Sequence, residues 1–198
     1  MNNKVSSFIK NFSYTLTSNL ISLAISTLVT LIIPKLIGVE EYGYWQLYLF
    51  YSSYIGFLHF GWNDGIYLRY GGKDYKDIDK MLFFSQFCML FLLQSAILLT
   101  IFSFSNIFIA DQNRVFILKM TAICMLISNL RIMLLYILQG TNRIKEYAQI
   151  TMMDRIFYIC LIVIFLIIGI REYKLMILAD IIGKSVSLIY AMCCCKDI

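Results

Sequence analysis

Residues 156–170 read IFYICLIVIFLIIGI, a stretch with no charged side chain and almost nothing but aliphatic and aromatic groups. A helix made of this has no side for water. With 148–155 before it, the run covers residues 148–170. A bilayer's hydrocarbon core is about 30 Å thick and a helix rises about 1.5 Å per residue, so roughly 20 apolar residues cross it. The stretch therefore reads as a membrane span, and the question becomes how many others the chain holds.

Working outward gives six candidate spans, at about 13–34, 43–69, 81–108, 115–139, 148–170 and 175–194. The composition agrees: 60% of the 198 residues are hydrophobic and 16% aromatic, where soluble domains are about half apolar. The predicted fold class is all-α, a polytopic membrane protein, with residues 1–198 forming one bundle of six transmembrane helices.

The net charge of +5 does not point to nucleic acid, because the basic residues lie between spans and form no single patch. They give orientation instead. With the N-terminus inside, inner segments hold Lys4, Lys10, Arg69, Lys73, Lys76, Lys80, Arg143, Lys145 and Lys196, against Lys35, Arg114, Arg171 and Lys174 outside. Nine against four predicts a cytoplasmic N-terminus, with six spans returning the C-terminus to the same side.

Lys4 and Lys10 precede an apolar stretch, but it is long, rich in Ser and Thr, and ends at Pro34 without an A-x-A site. It reads as a retained span and not as a secretory signal. The six cysteines, Cys88, Cys124, Cys160 and Cys193–Cys195, fall mostly inside spans and include no C-x-x-C pair. Neither a disulfide framework nor a zinc site is expected. No cofactor or metal is predicted.

Pro34, Gly38 and Gly43 read as a tight turn between the first two spans. The segments RYGGKDYKDIDK and QGTNRIKEYAQ are charged inner loops. Lipid tolerates no polar face, so polar residues at helical spacing must face protein or a hydrated cavity. Span one carries Ser18, Ser22, Ser26 and Thr30; span two Tyr48, Ser52, Gly56, His59 and Asn63; span four Thr121, Cys124, Ser128 and Arg131; span six Asp180, Lys184, Ser187 and Ala191. Spans one, two, four and six are expected to look inward and span five toward lipid. Gly61 and Gly65 form a GxxxG on the other side of span two, a close-packing spacing.

Arg131 lies deep in span four, where a central arginine costs roughly 2.5–3.5 kcal/mol on insertion scales. It reads either as half of an interhelical ion pair or a side chain snorkelling to the interface, or as a cation lining a hydrated cavity. The second use suits phosphate, whose oxygens match the paired donors of a guanidinium. Asp180 and Lys184, four apart, read as a neutralising pair on one helix face. The alternative makes Asp180 a proton or cation site and frees Lys184 for an anion during a conformational cycle. Asp154 and Arg155 read as interface anchors. His59 reads as a packed histidine, since one histidine makes no metal site and no catalytic motif accompanies it. An enzyme is not expected.

Two segments taken together carry a resemblance. PKLIGVEEYGYWQLY, residues 34–48, follows a Ser/Thr-rich first span, and GWNDGIYLRYGG, residues 61–72, ends the second. With QGTNRIKEYAQ before span five, their order resembles the polysaccharide (O-antigen and capsule) flippase family of the multidrug/oligosaccharidyl-lipid/polysaccharide exporter superfamily. The motif-like part covers about residues 13–72.

The resemblance implies one six-helix lobe, the N-terminal one, of a two-lobe transporter in the bacterial cytoplasmic (inner) membrane. By alternating access it would move a polyprenyl-pyrophosphate-linked oligosaccharide between leaflets. Arg131 and Lys184 would attract the pyrophosphate, Asn63 and His59 would line the cavity, and Asp180 would couple an ion or proton. The partner lobe would come from a missing C-terminal half or a second copy, the chain being expected to be truncated or split. The alternatives are a non-transporting membrane scaffold or remnant, and an integral membrane enzyme of polysaccharide assembly.

Overall fold

A computed structural model describes residues 3–196. Among the described residues there are seven α-helices and no strand: α1 (Asn3–Ile37), α2 (Val39–Tyr54), α3 (Trp62–Tyr70), α4 (Lys80–Phe108), α5 (Gln112–Gly140), α6 (Ile144–Ile168) and α7 (Tyr173–Cys194). Five of them, α1, α4, α5, α6 and α7, are long and apolar enough to cross a bilayer. Leucine, isoleucine and phenylalanine side chains remain exposed along α1, α4 and α6. In a water-soluble domain such surface would be a liability; here hydrocarbon covers it, and the chain is a multi-pass membrane protein.

The exception is the second expected span. Residues 43–69 do not form one helix: α2 stops at Tyr54, Ile55–His59 make a short 3-10 turn, and α3 starts at Trp62. Phe60 and Gly61 between them have φ of 50° and 77°, left-handed values that an α-helix cannot contain. The predicted stripe from Tyr48 to Asn63 is therefore interrupted. The GxxxG reading also fails, because a Cβ at Gly61 or Gly65 would meet nothing within 4 Å. Gly61 supplies a positive φ to start α3, which is a different use of glycine.

Two further expectations change. The turn after α1 is narrower than Pro34–Gly43: α1 runs through Pro34 to Ile37, and Gly38 alone (φ 87°) turns the chain into α2. Span one does not look inward along its length. Ser18 is buried, Ser22 and Ser26 are half-buried, and Thr30 is exposed. Steps of four residues advance about 400° around a helix, so such a row drifts off the packed face.

The helices run back and forth between two ends. At one, Asn11 of α1 bonds Asn142 at 2.7 Å, the Gly72 amide donates to the Gly140 carbonyl, and Arg143 donates to the Cys194 carbonyl at 3.0 Å. At the other, the Tyr173 amide donates to Glu41 at 2.6 Å and the Tyr173 hydroxyl to Asn113 at 2.9 Å. The first end gathers the segments predicted to share the inner side, including Arg69, Lys73, Lys76, Lys80, Arg143 and Lys145. There Arg143 lies over the Tyr75 ring, 4.3 Å from its centroid, and 3.2 Å from Glu146. Burial pulls its guanidinium down, but the Glu146 carboxylate holds it above its ordinary value.

Helix α5 is the axis of the bundle. Its buried residues run from Val115 to Leu138, and α2, α3, α4 and α7 all pack on it. One apolar core joins Trp45, Tyr48, Ile117, Met125, Tyr158 and Met176; the other joins Ile66, Phe83, Leu90, Met133, Leu138 and Ile150 toward the basic end.

Candidate functional site

Two polar groups interrupt this core, on opposite sides of α5. The first lies between α5, α6 and α7, with α2 closing it. The predicted rows of spans four and six do face each other here. Asp180 accepts from the Tyr48 hydroxyl at 2.6 Å and pairs with Lys184 one turn along α7. Lys184 also reaches the Cys124 sulfur at 3.4 Å, and Cys124 Sγ lies 3.6 Å from Ser128 Oγ. The polar groups thus run from α2 through α7 onto α5.

Further along the same two helices, Arg131 pairs with Asp154 of α6, Nη1 to Oδ2 at 3.2 Å, and donates to Ser187 Oγ at 3.3 Å. Ser187 in turn donates to the Ile150 carbonyl at 3.1 Å. The Arg131 and Asp154 side chains keep 11% and 3% of their surfaces exposed. Arg131 is therefore the ion-pair half of its two readings. Asp154 corrects its own: it is no interface anchor but a core carboxylate, and α6 turns one side to protein and only the other to lipid.

Glycine makes that junction possible. A Cβ on Gly183 would lie 2.9 Å from the Asp154 backbone carbonyl and 3.5 Å from its Oδ1. Only a residue without a side chain lets α7 come this near α6. The four charges, Asp154, Asp180, Arg131 and Lys184, sum to zero, as burial in low dielectric requires. Two atoms remain without partners, Arg131 Nε and Asp154 Oδ1. Each can still bond a ligand or a water.

The second group lies between α3, α4 and α5, around the break. Asn129 Nδ2 donates to the Ile55 carbonyl at 3.1 Å and to Gln94 Oε1 at 3.0 Å; Gln94 Nε2 donates to the Leu58 carbonyl at 2.9 Å. Asn63 Nδ2 donates to the Asn129 carbonyl at 3.0 Å. Irregular backbone at membrane depth survives only where protein satisfies it, and these amides do so. His59, at the end of the 3-10 turn, is buried with Nδ1 unpartnered.

Of the expected site residues, Arg131, Lys184 and Asp180 share the first group, while Asn63 and His59 sit at the second. Residues 129 and 131 are about 200° apart around a helix, so α5 separates the two. Asp154, Gln94 and Asn129 belong to these groups and were not expected in them. An amide in the middle of span three, just after the apolar stretch of residues 87–93, was the available signal for Gln94. Among the described residues, no group of three or more His, Cys, Asp or Glu side chains could hold a metal ion.

No protein-family model matches this chain, and neither does any curated protein or solved structure.

Proposed function

We propose that this chain is one lobe of a membrane transporter that moves a polyprenyl-pyrophosphate-linked oligosaccharide across the bacterial cytoplasmic membrane by alternating access. In this reading the basic end, where α1 begins, faces the cytoplasm, and a second six-span lobe, from more chain or a second copy, completes the cavity. The broken α2–α3 segment is then the sixth crossing.

The observation that carries the reading is Asp180, held between Tyr48 and Lys184 in the same group as the Arg131–Asp154 pair. Charged side chains inside a membrane segment are costly, and they are commonly found where a substrate or ion passes. Protonation of Asp180, or a cation on it, frees Lys184. A pyrophosphate competing for Arg131 then meets two cations. Catalysis is not part of this reading.

One observation favours a second reading. Each of the four buried charges already has a partner, which is what a static membrane scaffold also requires. Binding separates the two. Purified protein in nanodiscs is titrated with a short-chain polyprenyl pyrophosphate, with the unphosphorylated alcohol as control. The transport reading expects saturable binding of the pyrophosphate, weakened about tenfold or more when Arg131 and Asp154 are replaced together by Met and Leu. Equal retention of alcohol and pyrophosphate supports the scaffold.

A further inference from the structure

The break between α2 and α3 is written in a sequence that also suits a continuous helix. Tyr48, Ser52, Gly56, His59 and Asn63 keep helical spacing straight across it. The structure interrupts that pattern with a 3-10 turn and two left-handed residues, Phe60 and Gly61. Phe60 is unusual there, since a bulky side chain at positive φ is strained. Nothing in its own packing enforces the conformation: its side chain is 72% exposed, and a Cβ on Gly61 would touch nothing.

What holds the break is side-chain amides from other helices. Asn129 of α5 takes the Ile55 carbonyl and Gln94 of α4 the Leu58 carbonyl. The first backbone bond of α3 runs from the Gly65 amide to the Gly61 carbonyl, so the amides of residues 62–64 are left without helical acceptors. A continuous helix would supply those acceptors and relieve Phe60. It would give up the two amide contacts. Gains and losses are of the same kind and similar size, as a two-state element requires.

An open groove of about 310 Å³ lies beside the turn, lined by Tyr51, Tyr54, Phe57 and Leu58 against Ile101 of α4 and Leu118 of α5. Helix α3 is tied down by Asn63 and by the Gly72–Gly140 backbone bond. Helix α2 is held at its start by the bond from the Tyr173 amide to Glu41 and along its length by buried Trp45 and Tyr48, and its link to the charged group is the Tyr48–Asp180 bond.

We propose that residues 55–64 are a two-state joint, broken when the Asn129 and Gln94 amides hold the Ile55 and Leu58 carbonyls, and continuous when they let go. Closing the helix turns α2 relative to α3, shifts Tyr54 and Phe57 across that groove and draws Tyr48 off Asp180. The joint thereby connects the two polar groups that α5 keeps apart. The inference stands on the break itself and does not depend on what the protein transports.

Hydrogen exchange of the amides of residues 61–64, measured by mass spectrometry on the whole chain in nanodiscs, reads the joint directly. They are bonded only in the continuous state. Gly61→Ala penalises the left-handed conformation and should slow their exchange about tenfold. Asn129→Leu removes the latch and should slow it as well. Phe60→Gly relieves the strained residue and weakens the continuous helix, so it should speed exchange at these amides alone. Opposite shifts for Gly61→Ala and Phe60→Gly support the joint. Shifts in the same direction, or no shift in either, would overturn it.

Discussion

Arg131 of α5 and Asp154 of α6 form an ion pair, Nη1 to Oδ2 at 3.2 Å, with Ser187 of α7 as a second acceptor for the same nitrogen. Three helices are thus joined at one guanidinium. A buried pair of this kind contributes little over an apolar replacement, but half of one is strongly unfavourable. Arg131→Met or Asp154→Leu alone should destabilise the folded protein by about 3–5 kcal/mol. The double replacement should recover most of that loss. Thermal unfolding in detergent measures all three, and a double variant no better than the singles would show that the charges do not act as a pair.

Gly183 sets the α6–α7 distance. Gly183→Ala places a methyl 2.9 Å from the Asp154 carbonyl, a contact that backbone must move to relieve. Overpacking of this sort costs about 1–3 kcal/mol. The same change at Gly65, where a Cβ meets nothing, should be neutral or slightly stabilising. Parallel unfolding curves for the two variants test the contrast.

Tyr48→Phe removes one hydroxyl and leaves the ring. The lost bond is to a carboxylate, and such bonds contribute about 1.5–3 kcal/mol. The loss should fall in that range, and Asp180→Asn in a Tyr48→Phe background should cost less than Asp180→Asn alone. Strict additivity would mean that Tyr48 and Asp180 do not interact.

The three consecutive cysteines at the basic end should differ in reactivity. Cys195, beyond the end of α7, is buried, and burial pushes its thiol up to about 11, while Cys193 is exposed. At pH 8 a maleimide should label Cys193 first and Cys195 only on unfolding. A thiol whose folded pKa is raised contributes stability below its unfolded value, about 8.5, and loses it as pH rises through about 11. Stability should therefore decline over that alkaline window, and Cys195→Ser should flatten the decline.

The membrane class, the helical fold and the inward polar faces of spans four and six could be read from residues, because each depends on composition or on 3.6-residue spacing. Asp180 and Lys184 were legible for the same reason: both partners lie on one helix. Arg131–Asp154 was legible only from the Arg131 side, since its partner comes from the neighbouring span and looked like a boundary residue. The break at Phe60–Gly61 was hidden because residues 43–69 satisfy helical periodicity throughout, and what interrupts them are amides from α4 and α5 that are 36 and 74 residues from their partners. Long-range satisfaction of backbone leaves no local pattern.

Transport itself is measured most directly by leaflet exchange. The protein is reconstituted into liposomes carrying a fluorescent polyprenyl-pyrophosphate-linked sugar, and the outer-leaflet pool is quenched or enzymatically trimmed over time. Liposomes with the protein should deplete the inner pool faster than empty ones, and an Asp180→Asn, Lys184→Met variant that folds normally should lose that acceleration. Exchange at the protein-free rate, from the chain alone and from the chain joined to a second lobe, would contradict a role in moving lipid-linked oligosaccharide.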